Sequence, residues 1–95
     1  MAEGAEDSIG VRSGDKAPSL RELLLHLARA LVEFPDQVAV EEIDEPDAVV
    51  YELKVAESDL GRVIGRQGRT AKALRTVLSA ASAKMKRRAI LEILE

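Results

Sequence analysis

The chain has no cysteine and no tryptophan, and only one phenylalanine, one tyrosine and one histidine among its 95 residues. Without cysteine, a disulfide framework and a thiolate zinc site are both excluded. The one histidine, His26, falls inside a leucine-rich pattern, where a structural role is the default. No Ser-His-Asp set, metal-ligand spacing or Walker loop accompanies it. Glu41-Glu42 and Asp44-Glu45 are paired carboxylates, but they sit at a hairpin with no implied pocket and read as solubilising charge. An enzyme is therefore the least favoured class, and no catalytic residue, metal or cofactor is expected. No run approaches the roughly 18 to 20 apolar residues of a membrane span. The acidic start, Met1-Ala2-Glu3-Gly4-Ala5-Glu6-Asp7, lacks the basic and apolar regions of a secretory signal. The expected location is cytoplasmic, with no membrane partner.

Acids are missing from one part of the chain. No carboxylate lies between Gly61 and Arg88. Residues 1–60 hold 15 acidic and 5 basic side chains, whereas residues 61–95 hold 9 basic and 2 acidic. The whole-chain net charge of −3 therefore conceals a local cationic field of the kind a polyanion needs.

The length allows one small domain plus a tail, and an apolar share of 46% allows a packed core. Residues 1–17, rich in Glu, Asp, Gly and Ser, read as a disordered acidic tail, and residues 18–95 as the domain. Ser19 and Glu22 form a capping box at the start of a helix carrying Leu20, Leu23, Leu24, Leu27 and Leu31, with Ala28 and Phe34 alongside. Pro35 closes that segment. Val38 to Ile43 is a strand candidate, Asp44-Glu45-Pro46-Asp47 a turn, and Val49, Tyr51, Leu53 and Val55 alternate as a half-buried strand. Glu57-Ser58-Asp59 offers capping residues to a short helix with Leu60, Val63 and Ile64. Leu74, Val77, Leu78 and Ala81 form the apolar stripe of a longer one. Residues 84–88 fit either its continuation or a connection. Ala89 to Leu94 then fits a third strand, which completes an otherwise marginal two-stranded sheet. The expected architecture is α+β, in the order α-β-β-α-α-β, with three helices on one face of a three-stranded sheet.

Gly65-Arg66-Gln67-Gly68 joins the two middle helices. Two glycines three apart, with a cation between them and Arg69 just after, let a backbone turn approach a phosphate chain closely. A helix starting at Gly68 or Arg69 points its N–H groups and positive dipole end at the same anion.

This order and this loop resemble the KH domain in its prokaryotic, type II arrangement. The segments Leu31–Val38, Gly61–Thr70 and Leu74–Val77 resemble the KhpA family of small bacterial single-KH proteins. The resemblance covers about residues 19–95 and leaves out the acidic tail. It implies that the loop clamps about four nucleotides of single-stranded RNA while an apolar groove receives the bases. Gly65 and Gly68 would admit the phosphates, Arg66 and Arg69 supply charge and bidentate donors, and Gln67 a neutral donor and acceptor. Ile64, with Val63 or Leu60, would floor the groove; Val63 fits either floor or core. Arg62 and Lys72 would add flanking charge, and with Arg75 they also fit plain solvated helix faces. Phe34 and Tyr51 both sit in apolar patterns of core elements, so there is no aromatic stacking platform. The resemblance further implies a homodimer, and pairing with a KhpB, Jag or EloR type partner in control of cell elongation and envelope growth. Val77, with Ala73 and Ala80 one turn either way, is the candidate dimer face, and also fits plain core. A protein–protein adaptor in which RNA binding is secondary is the alternative reading.

Overall fold

A computed structural model describes residues 19–83, 85 and 87–95. Helix α1 spans Leu20–Leu31. Its start is fixed by the expected capping box: Ser19 Oγ accepts from the Glu22 N–H at 3.1 Å, and Glu22 Oε1 accepts from the Ser19 N–H at 3.1 Å. The helix stops at Leu31, before Pro35, and Pro35–Gln37 form a single 3₁₀ turn. Leu24 and Ala28 are buried along its inner face. Phe34 is 42% exposed, so the linker carries it outward and not into the core as its place in the apolar pattern suggested.

Strands β1 (Ala39–Asp44) and β2 (Ala48–Lys54) form an antiparallel hairpin. The Glu45 N–H donates to the Ala48 carbonyl at 2.9 Å, leaving Pro46-Asp47 at the tip. After β2 come a 3₁₀ turn at Glu57–Asp59, the short helix α2 (Leu60–Ile64), the loop, and helix α3 (Arg69–Ala81). Strand β3 (Arg88–Ile93) returns parallel to β2, so the order across the sheet is β1-β2-β3. Helix α3 ends at Ala81, and Arg88 already belongs to β3. Its end is closed at Ser82, whose N–H donates to the Leu78 carbonyl at 3.0 Å. Both outer strands lie within one or two residues of their expected bounds.

The α+β order and the helices against the sheet match the expectation. Val40, Val49, Tyr51, Leu53 and Leu91 supply the sheet side of the core, and Leu24, Ala28, Val63, Leu74 and Leu78 the helix side. Tyr51 is 2% exposed. Burial raises its pKa, and the nearby Glu42 carboxylate adds to the effect. The tail, residues 1–17, lies outside the described residues, as do Lys84 and Lys86 in the 84–88 connection.

Candidate nucleic-acid interface

The loop is built on positive φ. Gly65 has φ 78° and ψ 169°, Gln67 φ 57° and ψ 25°, and Gly68 φ 74° and ψ 14°. The two glycines are required for different reasons. A Cβ on Gly65 would overlap Thr70 Oγ1 and lie 2.7 Å from Thr70 Cβ and 2.8 Å from its backbone N. A Cβ on Gly68 would meet nothing within 4 Å, so there only the left-handed backbone favours glycine. The turn is closed by the Gly65 N–H on the Gly61 carbonyl at 2.8 Å and the Gly68 N–H on the Gly65 carbonyl at 3.1 Å. Gln67 holds a conformation that costs a non-glycine residue energy. Arg69 Nη2 donates to Gln67 Oε1 at 3.1 Å, which leaves the amide NH₂ as the open end of that side chain.

Gly68 gives α3 no side-chain cap, so the first turn of a thirteen-residue helix keeps its positive end toward the loop. Arg66, Arg69, Lys72 and Arg75 are all exposed on the loop and α3. Among the described residues none of them is paired with a carboxylate. Arg62 differs. Its guanidinium sits 3.1 Å from Asp59 Oδ1 and 3.9 Å from Glu33 Oε1, so it is partly committed within the protein.

Of the capping candidates Glu57-Ser58-Asp59, Asp59 takes the N-cap position of α2, but no side chain caps that helix. Asp59 is fully buried, and its two oxygens accept from the backbone N–H groups of Glu33 and Phe34, each at 3.0 Å. Burial works to raise its pKa, but the two backbone donors and Arg62 outweigh that and hold the carboxyl below its ordinary value. Asp59 thereby ties the end of α1 to the start of α2, the helix that presents the loop. Sequence spacing offered no sign of this, because its partners are about 25 residues away in the chain.

The apolar candidates separate. Val63 is 0% exposed and belongs to the core, so it supports the surface from beneath and is closed to a ligand. Leu60 and Ile64 are half-buried against that core and keep part of their surface open. The dimer-face candidates also fall apart from the core reading. Val77 is 42% exposed, and Ala73 and Ala80 are exposed. Ala73 and Val77 line an apolar depression between α1 and α3 of about 270 Å³, with Leu27, Leu31 and Leu74. Ala80 lies outside that lining.

A β1-β2-β3 sheet with β2 and β3 parallel, crossed by two helices joined through Gly-x-x-Gly, defines a KH domain of the type II arrangement. The chain belongs to the KhpA/KhpB KH-domain family, whose model matches residues 21–93. It is 47% identical over 75 residues to the RNA-binding protein KhpA of Clostridium acetobutylicum, covering 79% of this chain and 100% of that protein. With the KhpA of Halalkalibacterium halodurans the identity is 50% over 76 residues, covering 80% and 100%. With that of Aquifex aeolicus it is 47% over 77 residues, covering 81% and 98%. In fold, the chain is similar to part of Era crystallised with MgGDPNP and nucleotides of 16S ribosomal RNA, at TM-score 0.56 and 22% identity. That match covers 78% of this chain and 28% of the Era chain, so this chain spans under a third of its length.

Proposed function

We propose that this protein binds single-stranded RNA without rich sequence readout, by clamping the backbone at Gly65–Gly68. The observation that carries the reading is the loop: a glycine-built turn at an uncapped helix start, flanked by Arg66, Arg69 and Lys72 without carboxylate partners among the described residues. Phosphates fit the loop and these cations, with Gln67 as an added donor. Leu60 and Ile64 offer aliphatic surface to the bases, with Val63 packed behind them. Arg62 adds charge at the edge while it remains tied to Asp59. The matched relatives carry the name RNA-binding protein, which supports the same reading.

Phe34 is the one exposed aromatic side chain and none lies on the loop or its flanking helices, so affinity rests mainly on phosphate contacts and aliphatic packing and is modest and strongly salt-dependent. Each phosphate neutralised on a single strand contributes about −0.7 to the log–log salt slope, so four contacts give roughly −3. Fluorescence anisotropy with a single-stranded RNA across a salt series measures this, and a slope near zero overturns the mechanism. Replacing Arg66 and Gln67 together with Asp abolishes RNA binding under this reading.

One short site is weak, and a second copy raises the effective concentration. We assign the protein a homodimeric, cytoplasmic state and a role as an RNA chaperone or post-transcriptional regulator. It acts alone or with a KhpB, Jag or EloR type partner in control of cell elongation and envelope growth. The common family model for KhpA and KhpB supports such a pairing. The apolar depression at Ala73 and Val77 favours a second reading, a protein–protein adaptor for which RNA is secondary. The Arg66/Gln67 double variant separates the two: under the adaptor reading, partner binding and cellular role survive the loss of RNA.

A further inference from the structure

Side chains alternate across a strand, so the sheet has a second face, turned away from the core residues Val49, Tyr51 and Leu53 that meet the helices. Register fixes what that face carries. Ile43 on β1 pairs with Val50 on β2, which pairs with Ile90 on β3. Two residues along, Glu41 pairs with Glu52, which pairs with Glu92. None of these six belongs to the core cluster under the helices. Val50 is buried, Ile43, Ile90 and Glu52 keep part of their surface open, and Glu41 and Glu92 are exposed.

Like charges directly opposite one another destabilise a sheet. Here three carboxylates stand in one row over three strands, and among the described residues none of them has a cation within ion-pair distance. Lys54 and Arg88 stand in the flanking rows, opposite Ala39 and Ala48. Solubility alone is served as well by interleaved charges of both signs, which attract across strands. The acidic row runs about 6.7 Å from the apolar one, so the face is amphipathic. Phosphate is repelled here, and a second copy docked face to face would set acids against acids. Among the described residues no carboxylates converge as a metal site, and a small cation would leave the apolar row unused. A helix lying across the strands fits both rows. Its cations, one turn apart at about 5.4 Å, match carboxylates one strand apart at about 4.8 Å. Its apolar stripe covers Ile43 and Ile90, as helices cover sheet faces in layered folds. We propose that this face docks a Lys- or Arg-bearing amphipathic helix of a partner protein. The glycine loop belongs to the helical layer, so RNA and this partner occupy different sides of the protein and neither requires the other.

The probe is a synthetic Leu/Lys peptide patterned as an amphipathic helix, titrated into the isotope-labelled full chain and located by amide chemical shifts. A Ser/Lys peptide of equal length and charge is the control ligand. The triple variant Glu41→Gln, Glu52→Gln, Glu92→Gln keeps the shape of the face and removes its charge. Shifts centred on the Glu41–Glu52–Glu92 and Ile43–Val50–Ile90 rows are expected. Affinity should fall at least fivefold in the triple variant, and at least fivefold for the Ser/Lys peptide. The variant should melt at or above the wild-type temperature, because the opposed charges are gone. No binding, shifts centred elsewhere, equal binding of the two peptides, or unchanged affinity in the variant overturns the inference and leaves the RNA-binding reading standing. A melting temperature well below wild type also overturns it, since the fold itself would then account for the acids. Shifts on this face that depend on protein concentration alone, or that a single-stranded RNA produces, identify another occupant and overturn it as well.

Discussion

Alanine at Gly65 and alanine at Gly68 look equivalent in sequence, yet the structure separates their costs. At Gly65 the backbone lies at φ 78° and ψ 169°, a region almost closed to residues with a Cβ, worth about 1–3 kcal/mol. The new methyl also meets Thr70, at 2.7 Å from its Cβ and 2.8 Å from its backbone N. Rotating the Thr70 side chain moves neither atom away, so overpacking adds about 1–3 kcal/mol. Gly65→Ala should therefore cost about 2–6 kcal/mol, out of the roughly 5–10 kcal/mol that a domain of this size holds. Gly68 has the left-handed backbone and open space, so Gly68→Ala should cost about 1–2 kcal/mol. Urea denaturation of both variants gives the comparison, with Gly65→Ala at least twice as damaging. Combining Gly65→Ala with Thr70→Ala removes the Oγ1 overlap alone and should recover only part of the loss. Equal costs for the two glycines, or full rescue by Thr70→Ala, would refute the reasoning.

Three further outcomes are expected. Asp59→Asn keeps the shape but discards the charge that its backbone donors and Arg62 favour, so it should lower stability at neutral pH. Because the folded pKa of Asp59 is depressed, its contribution is present above the ordinary carboxylate range and is lost as pH falls through the folded value. Denaturation curves from pH 7 to pH 2 should therefore converge for wild type and variant at the acid end, and a constant gap would contradict the assignment. Val77→Asp should remain folded, since Val77 is 42% exposed, and should be monomeric by size exclusion with light scattering; an intact dimer refutes that face. Ser19→Ala removes the cap of α1 and should cost about 1 kcal/mol, or about 4–8 °C in melting temperature for a domain this small. An unchanged melting temperature would show the capping box to be idle.

Much of the fold was legible because it follows from local patterns. The capping box at Ser19 and Glu22, the period-two alternation from Val49 to Val55 and the leucine spacing of α1 each declare an element within a few residues. The loop was legible for the same reason, since two glycines three apart between apolar helical patterns restrict what the backbone can do. The one misreading, Phe34, and the two positions left open, Val63 and Val77, share a cause as well. Phe34, Val63 and Val77 are all apolar and all sit at helical spacing, yet one is carried outward by a linker, one is sealed in the core and one stands at a groove. Periodicity marks an apolar face but not what lies opposite it.

The absence of cysteine, the scarcity of aromatic residues and the lack of carboxylates between Gly61 and Arg88 narrowed the chemistry, and local spacing set the order of the elements. Those are properties of neighbouring residues, and the sequence alone determined them. Only the tertiary structure joined Asp59 to the backbone of Glu33 and Phe34, withdrew Arg62 from the set of unpaired cations, and made Gly65 rather than Gly68 the crowded glycine. It also brought Glu41, Glu52 and Glu92 into one row. Each of these depends on which distant atoms occupy the space beside a residue, and that is decided when the helices and sheet pack together.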